Sequence, residues 1–275
     1  MAEYELSDKD FEKISNLVYQ KCGINLHGGK KELVSARLGK RLREGGFSSF
    51  SNYYNYITGE KGAEELVTMI DSISTNLTYF FREESHFVKL SKLLPVFSEN
   101  AAKQKSGPKL LVWCAGCSTG EEPYSVAMTA RESLRDQSVK VKILATDIST
   151  KVISKASEGI YSVDKAKNIP NALLNKYFQR GSGNLSTDLR VKEEIRGMIS
   201  FKLFNLMHTP PAEALFDFIF CRNVMIYFDK QTQQRLVGNF FNCLKKGGYF
   251  FIGHSESLTG LNHSFKYVEP SVYTK

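Results

Sequence analysis

Apolar residues recur at helical spacing through the first third of the chain and gather into continuous runs afterwards, with the change near Gly107-Pro108. "LSDKDFEKISNLVYQKCG" opens with Ser7 as an N-cap and Asp10 three residues on, carries Phe11, Ile14, Leu17 and Val18 on one face, and stops at Gly23. A second amphipathic helix is predicted in "KKELVSARLGKRLREGG", with Leu33, Leu38 and Leu42 as its apolar positions and Gly45-Gly46 as its end. "FSNYYNYIT" and "GAEELVTMIDSIS" continue the series, and no alternating β-branched run precedes residue 105. The expectation is an all-helical N-terminal domain over 1–85, joined by a linker helix over 86–107 to a domain over 108–275.

That second domain alternates. "KLLVWCA", "VKVKILATDIS", "MISFKLFNL", "FDFIFCRNVMIYF" and "YFFIGHSES" are strand-like apolar runs. Between them lie helical patterns in "EEPYSVAMTARESLRD", in "TKVISKASEGI" with Val152, Ile153 and Ala156 inward, and in "DKQTQQRLVGNFFNCLKKGG". Strand, helix, strand predicts an α/β fold with a parallel sheet buried on both faces, and "SFKYVEPSVYTK" closes it as an antiparallel edge. Residues 161–197 break the rhythm, with Asn168, Pro170 and the turn-rich "QRGSGNLSTDLRVKEE", and are expected to form a small inserted β-subdomain. No internal repeat or low-complexity tract is present.

Composition adds bounds. A hydrophobic content of 42% sustains a core, no run approaches the ~18 apolar residues of a membrane span, and "MAEYELSDKDFEK" lacks the order of a signal peptide. A cytoplasmic protein without membrane insertion is expected. Five scattered cysteines suit reduced, buried thiols. A net charge of +8 points to an acidic partner, without choosing among nucleic acid, anionic membrane and acidic protein surface.

In a parallel sheet, ligands sit at the carboxyl ends of the strands, where "WCAGCSTGEEPYS" leads from strand to helix. Gly116 and Gly120 let the backbone turn and approach a ligand, but their spacing is not that of the dinucleotide fingerprint. Asp147, at the end of "ILATD", is placed to accept both ribose hydroxyls of an adenosine ligand, with Ser149 and Thr150 free to cap the next helix. Glu121 and Glu122 favour the helix N-terminus yet would repel a pyrophosphate there and welcome an ammonium or sulfonium, which makes S-adenosylmethionine the expected cofactor. Cys114 and Cys117 have the spacing of half a zinc site. No second cysteine pair or paired histidines complete it, and the adjacent glutamates disfavour a thiolate, so they are expected to be structural and no metal is expected.

Taken together, "NLTYFFRE", "CSTGEEPYS", "ATDIS", "CRNVMIYFD" and "GHSESL" closely resemble the CheR family, chemotaxis receptor glutamate methyltransferases that use S-adenosylmethionine. The resemblance runs from the first helices to the last strand. It implies a helical N-terminal domain, a Rossmann-like class I methyltransferase domain with a small inserted β-subdomain, and methyl ester formation on glutamates of the cytoplasmic helices of chemoreceptors, with S-adenosylhomocysteine as product. The family's cofactor residues fall on Asn76, Thr78, Arg82, Glu121, Asp147, Asn205, Leu206, Arg222 and Asn223, with Glu122 competing for the place of Glu121. Arg82 and Tyr227 are the candidates for holding the substrate carboxylate. Without the motif context the favoured reading of Arg82 is a domain-linking salt bridge and that of Tyr227 a core aromatic. The basic helix, through Arg37, Lys40 and Arg41 beside Lys30 and Arg43, either seats acidic receptor segments or is a solvated face. The resemblance also suggests, for some members, that the turn at "RGSGN" adds a strand to a docking peptide. A monomer is expected, and no nucleic-acid partner: "CRNVMIYF" lacks the Pro-Pro-aromatic turn used beside a flipped base. The alternative is a non-catalytic S-adenosylmethionine sensor or scaffold.

Overall fold

A computed structural model describes residues 4–74, 76–102, 109–134, 139–181, 187–210 and 215–275. Helix α1 (Asp8–Cys22) begins where the Ser7 hydroxyl accepts from Asp10 N and ends at Gly23 in the left-handed conformation, φ 74°. Helices α2 (Lys31–Gly45), α3 (Phe50–Thr58) and α4 (Ala63–Ile73) complete the bundle. Ile14, Val18, Val34, Leu38, Leu42, Tyr53 and Met69 fill its core at 0% exposure. Leu33 is 40% exposed because it turns toward a cavity between the two domains.

The second unit is a seven-stranded sheet. Its strands are β1 (Lys109–Ala115), β2 (Lys140–Asp147), β6 (Ile199–Leu203), β7 (Phe216–Cys221), β8 (Leu244–Ile252), β9 (Lys266–Glu269) and β10 (Val272–Thr274), in the order β6-β2-β1-β7-β8-β10-β9. The first five pair in parallel and the terminal β9–β10 hairpin is antiparallel. Both faces are covered, which is why β1 is apolar from Leu110 to Ala115 once past the exposed Lys109. Leu110, Val112 and Cys114 join a core that includes Tyr124 and Met128 of α6 (Glu121–Ser133), while Trp113 and Ala115 join Leu236, Val237 and Phe240 of α10 (Lys230–Cys243). Helix α7 (Thr150–Glu158) follows β2, and the Ser149 hydroxyl caps it.

Two expectations change. The segment assigned as a linker helix is α5 (Glu84–Ala102), and Phe87, Leu90 and Leu94 bury it in the sheet core. It is a layer of the second domain rather than a spacer; the rest of that segment, 103–107, lies outside the described residues. The insertion holds a three-stranded antiparallel sheet, β3 (Ile160–Ser162), β5 (Asp188–Val191) and β4 (Phe178–Arg180), but also the helices α8 (Asn171–Tyr177) and α9 (Glu193–Arg196). Residues 182–184 of the "RGSGN" turn lie outside the described residues, and the docking strand expected there with them.

The domains meet through the end of α1. Tyr19 donates its hydroxyl to Asp229 at 2.7 Å, Asn25 N donates to the Tyr227 carbonyl at 2.8 Å, and Asn205 Nδ2 donates to the Lys21 carbonyl at 2.6 Å. Gly23 is favoured at this contact by its positive φ of 74°, and a Cβ there would also press on the Met207 side chain.

The expected docking cations divide. Arg37 and Arg41 are one helical turn apart and face into the bundle. Arg37 donates to the carbonyls of Ile73 and Ser74, and Arg41 forks onto Glu65 at 3.1 and 2.7 Å and reaches Glu44 at 2.6 Å. The fully buried Tyr53 donates its hydroxyl to the same Glu65 at 2.8 Å. Lys40 and Arg43 are exposed, the Lys40 side chain to 73%. Arg41→Ala leaves Glu65 without its charge partner and is expected to lower unfolding free energy by about 1–3 kcal/mol. Denaturant titration checks this; an unchanged midpoint would contradict it.

Candidate active site

At the end of β1 the chain turns through Gly116, φ 81°, where Gly116 N and Cys117 N both donate to the Thr146 carbonyl at 2.8 and 2.9 Å. A Cβ at Gly116 would lie 2.4 Å from Val224 Cγ2, and one at Gly120, φ 95°, would lie 2.9 Å from both Ala156 Cβ and Tyr161 Oη. The two glycines are therefore demanded by close approach as well as by backbone angle. Asp147 closes the other side: its carboxylate accepts from Ser118 N at 2.8 Å and Ser149 N at 3.0 Å. Burial pushes its pKa up and the amide donors oppose that rise. A carboxylate has roughly four lone-pair sites, so these donors do not exhaust its capacity to accept.

Beside this loop a cavity of about 290 Å³ opens between the domains. Asn76, Thr78, Arg82, Asp147, Asn205, Leu206, Arg222, Asn223 and Tyr227 all line it. Sequence reasoning missed the opposite wall, where the N-terminal domain contributes Cys22, Ile24, Leu26, Lys30 and Leu33. Helix periodicity could flag Leu33 only as one more core position. Not every predicted polar group is free for a ligand. The Asn205 amide is spent on Lys21 O and Met207 N, at 2.6 and 3.0 Å, and that of Asn223 on Glu83 at 3.2 Å.

Glu121 does not reach the cavity. It is fully buried, accepting from the Thr119 hydroxyl at 2.6 Å and pairing with Lys165 of the insertion at 3.0 Å. Glu122 lines the cavity in its place. Neighbouring residues on a helix point about 100° apart, so only one of an adjacent pair can face the ligand. Glu122 pairs with Arg222 Nη1 at 2.9 Å, and Glu83 meets Nη2 of the same guanidinium at 3.0 Å. Arg222, its side chain 2% exposed, also donates to the Arg82 carbonyl and lies over the Phe87 ring. Burial pushes Glu122 up; for Glu83 burial is outweighed by Arg222, His254 N and Asn223, which hold it below the usual range. Arg222 is thus one cation shared by two carboxylates, with the Arg82 charge also acting on Glu122.

Glu83, His86 and His254 approach within 4.8 Å of one another. Both Glu83 oxygens are already bonded and Arg222 stands 3.0 Å away, so a metal ion there would be set against a buried guanidinium. Cys114 and Cys117 are thiols at 0% and 1% exposure, and burial pushes both well up, which suits packing rather than thiolate chemistry.

A parallel sheet with an antiparallel terminal hairpin, an acid at the end of β2 and a glycine loop after β1 define a Rossmann-like class I methyltransferase, and S-adenosylmethionine is its cofactor. The cavity lining fits it chemically: Asp147 could accept ribose hydroxyls, the apolar walls could take the base, and Glu122 could face a cationic amino-acid end. Residues 76–274 match "CheR methyltransferase, SAM binding domain" and residues 9–74 match "CheR methyltransferase, all-alpha domain". The chain belongs to the CheR methyltransferase family. It is 42% identical over 275 residues to the "Chemotaxis protein methyltransferase" of Borreliella burgdorferi, covering 98% of this chain and 95% of that one. It is 41% identical to the protein of that name in Escherichia coli K12, covering 98% and 91%, and 38% identical to "Chemotaxis protein methyltransferase 2" of Pseudomonas aeruginosa, covering 99% and 95%.

His86 supplies a pH test of the pocket floor. It is 1% exposed, neither ring nitrogen has a hydrogen-bond partner, and burial, then Arg222, lowers its pKa to about 3 against an opposing pull from Glu83. The unfolded chain takes up this proton near pH 6.5 and the folded chain does not, so stability falls as pH drops from about 6.5 toward 3, by about 1.4 kcal/mol per unit. His86→Phe is expected to remove that component, read as a shallower loss of unfolding free energy between pH 6 and 4. Parallel curves for parent and variant would contradict it.

Proposed function

We propose that the protein transfers the methyl group of S-adenosylmethionine to glutamate side chains on the cytoplasmic helices of chemoreceptors, forming methyl esters. The relatives' names supply the chemotactic setting. The observation that carries the reading is that Arg82 and Tyr227 line the same cavity as Asp147 and Glu122, so acceptor-holding and cofactor-holding groups share one space.

A substrate glutamate, with a pKa of about 4.3, is ionised at neutral pH and needs no general base. When bound, S-adenosylmethionine supplies an electrophilic methyl on a sulfonium. The chain's task is to align a carboxylate oxygen and exclude water. One terminal nitrogen of Arg82, Nη1, donates to the Leu77 carbonyl at 2.9 Å, and the Tyr79 ring centroid lies 5.8 Å from its guanidinium carbon. Its remaining N–H groups can pair with a carboxylate. The Tyr227 hydroxyl is the second donor, and Lys30 Nζ lies 5.5 Å from the Tyr227 ring, adding positive charge on the same wall. Lys30 and the outward Lys40 serve the docking role first assigned to the whole basic helix, attracting an acidic helical segment.

Labelled S-adenosylmethionine with receptor-containing membranes tests the reading. Base-labile label on the receptor is expected; base-stable label would mean nitrogen methylation, and none would mean a cofactor sensor. Arg82→Ala is expected to cut turnover by about 10- to 100-fold with a smaller change in S-adenosylhomocysteine affinity. Unchanged turnover would remove Arg82 from this role.

A further inference from the structure

The "GHSESL" stretch after β8 marks the family resemblance, yet none of its residues lines the cavity. We propose that Glu256 within it is a positioning residue for methyl transfer, its carboxylate fixing the turn that carries Arg222, Asn223 and Tyr227. The inference rests on the acceptor-holding role proposed above for Tyr227.

The chain leaves β7 at Cys221 and must reverse before α10 starts at Lys230. Asn223 does this in the left-handed conformation, φ 58°, which few non-glycine residues adopt. The amides of such a turn have no ladder partner, and Glu256 takes them up. One carboxylate oxygen accepts from Asn223 N at 2.9 Å and Gly253 N at 2.6 Å; the other accepts from Val224 N at 2.9 Å and Ile226 N at 3.3 Å. Four N–H donors on two oxygens saturate the group. Gly253 closes the clamp: a Cβ there would lie 2.5 Å from Asn223 Nδ2, 2.8 Å from Asn223 N and 2.9 Å from Glu256 Oε2.

Tyr227 is therefore held on both sides. The amide of the residue before it is bound by Glu256, and its own carbonyl accepts from Asn25 N at 2.8 Å. Asn223 in turn donates its side-chain amide to Glu83 at 3.2 Å, so a shift of this turn also disturbs the partners of Arg222. Glutamine at 256 would keep the length of the side chain but turn an NH₂ group toward two N–H donors. No arrangement of the amide satisfies all four.

The experiment compares the full-length parent with Glu256→Gln, Tyr227→Phe and the double variant, measuring kcat on receptor-containing membranes, S-adenosylhomocysteine affinity by calorimetry, and melting. Glu256→Gln is expected to lower kcat by about 10- to 100-fold, because small misplacements of an aligning group are costly. Affinity should fall less, by about three- to tenfold, since Asn223 and Arg222 also line the cofactor's side. If Glu256 acts through Tyr227, adding Glu256→Gln to Tyr227→Phe costs less than about threefold in kcat. Losses that multiply independently, as general destabilisation would give, overturn the proposal, and so does a kcat within twofold of the parent. Should Glu256→Gln fail to fold, Gly253→Ala presses on the same turn from the other side and must give the same pattern. If the parent forms no glutamyl ester, the functional reading has failed, and the cofactor affinity of Glu256→Gln alone decides this inference: a fall supports it and no change overturns it.

Discussion

One buried guanidinium organises this molecule's cleft. Arg222, at the end of the central strand β7, joins Glu122 from the first turn of α6 and Glu83 from the segment between the domains. A charge removed from water in this way is stable only when it is paired, and the three segments close on one another to pair both terminal nitrogens, while Nε has no partner among the described residues. At this cluster two carboxylates share one guanidinium, and the Arg82 charge also acts on Glu122.

The N-terminal helices complete what the sheet begins. A methyltransferase sheet alone would offer its cofactor a shelf open to water. Here Ile24, Leu26 and Leu33 supply the facing apolar wall, and the Asn25–Tyr227 and Lys21–Asn205 bonds fasten that wall to the turns carrying the site. The insertion holds the loop from behind, through Lys165 on Glu121 and the Tyr161 hydroxyl on the Thr119 carbonyl. For the carboxylate acceptor proposed above, methyl transfer needs alignment and dryness more than acid–base chemistry, and each of these supports would serve that end.

How much of this was legible in sequence depends on the range of the interaction. Caps and periodicity placed α1, α2 and the alternating strands because those signals are local: Ser7, Gly23 and the doubly buried run of β1 mean the same thing in any fold. Asp147 stands out in sequence because strand ends are where parallel sheets bind ligands, and it does line the cavity. Glu121 and Glu122 are adjacent and chemically identical, and only the helix phase set by Gly120 separates the one that meets Lys165 from the one that meets Arg222. Arg37 and Arg41 looked like a docking surface because charge on a helix says nothing of its partner until α4 supplies the Ile73 carbonyl and Glu65. Glu83 and Glu256, each gripping groups more than 30 residues away, carried no local signal beyond their place in a motif.

The most direct measurement is S-adenosylhomocysteine binding to Arg222→Lys by titration calorimetry. Lysine keeps the charge but cannot fork onto two carboxylates. If the shared guanidinium shapes the pocket, affinity falls by at least about tenfold while the variant still melts cooperatively. Affinity within twofold of the parent would show that the cleft does not depend on it.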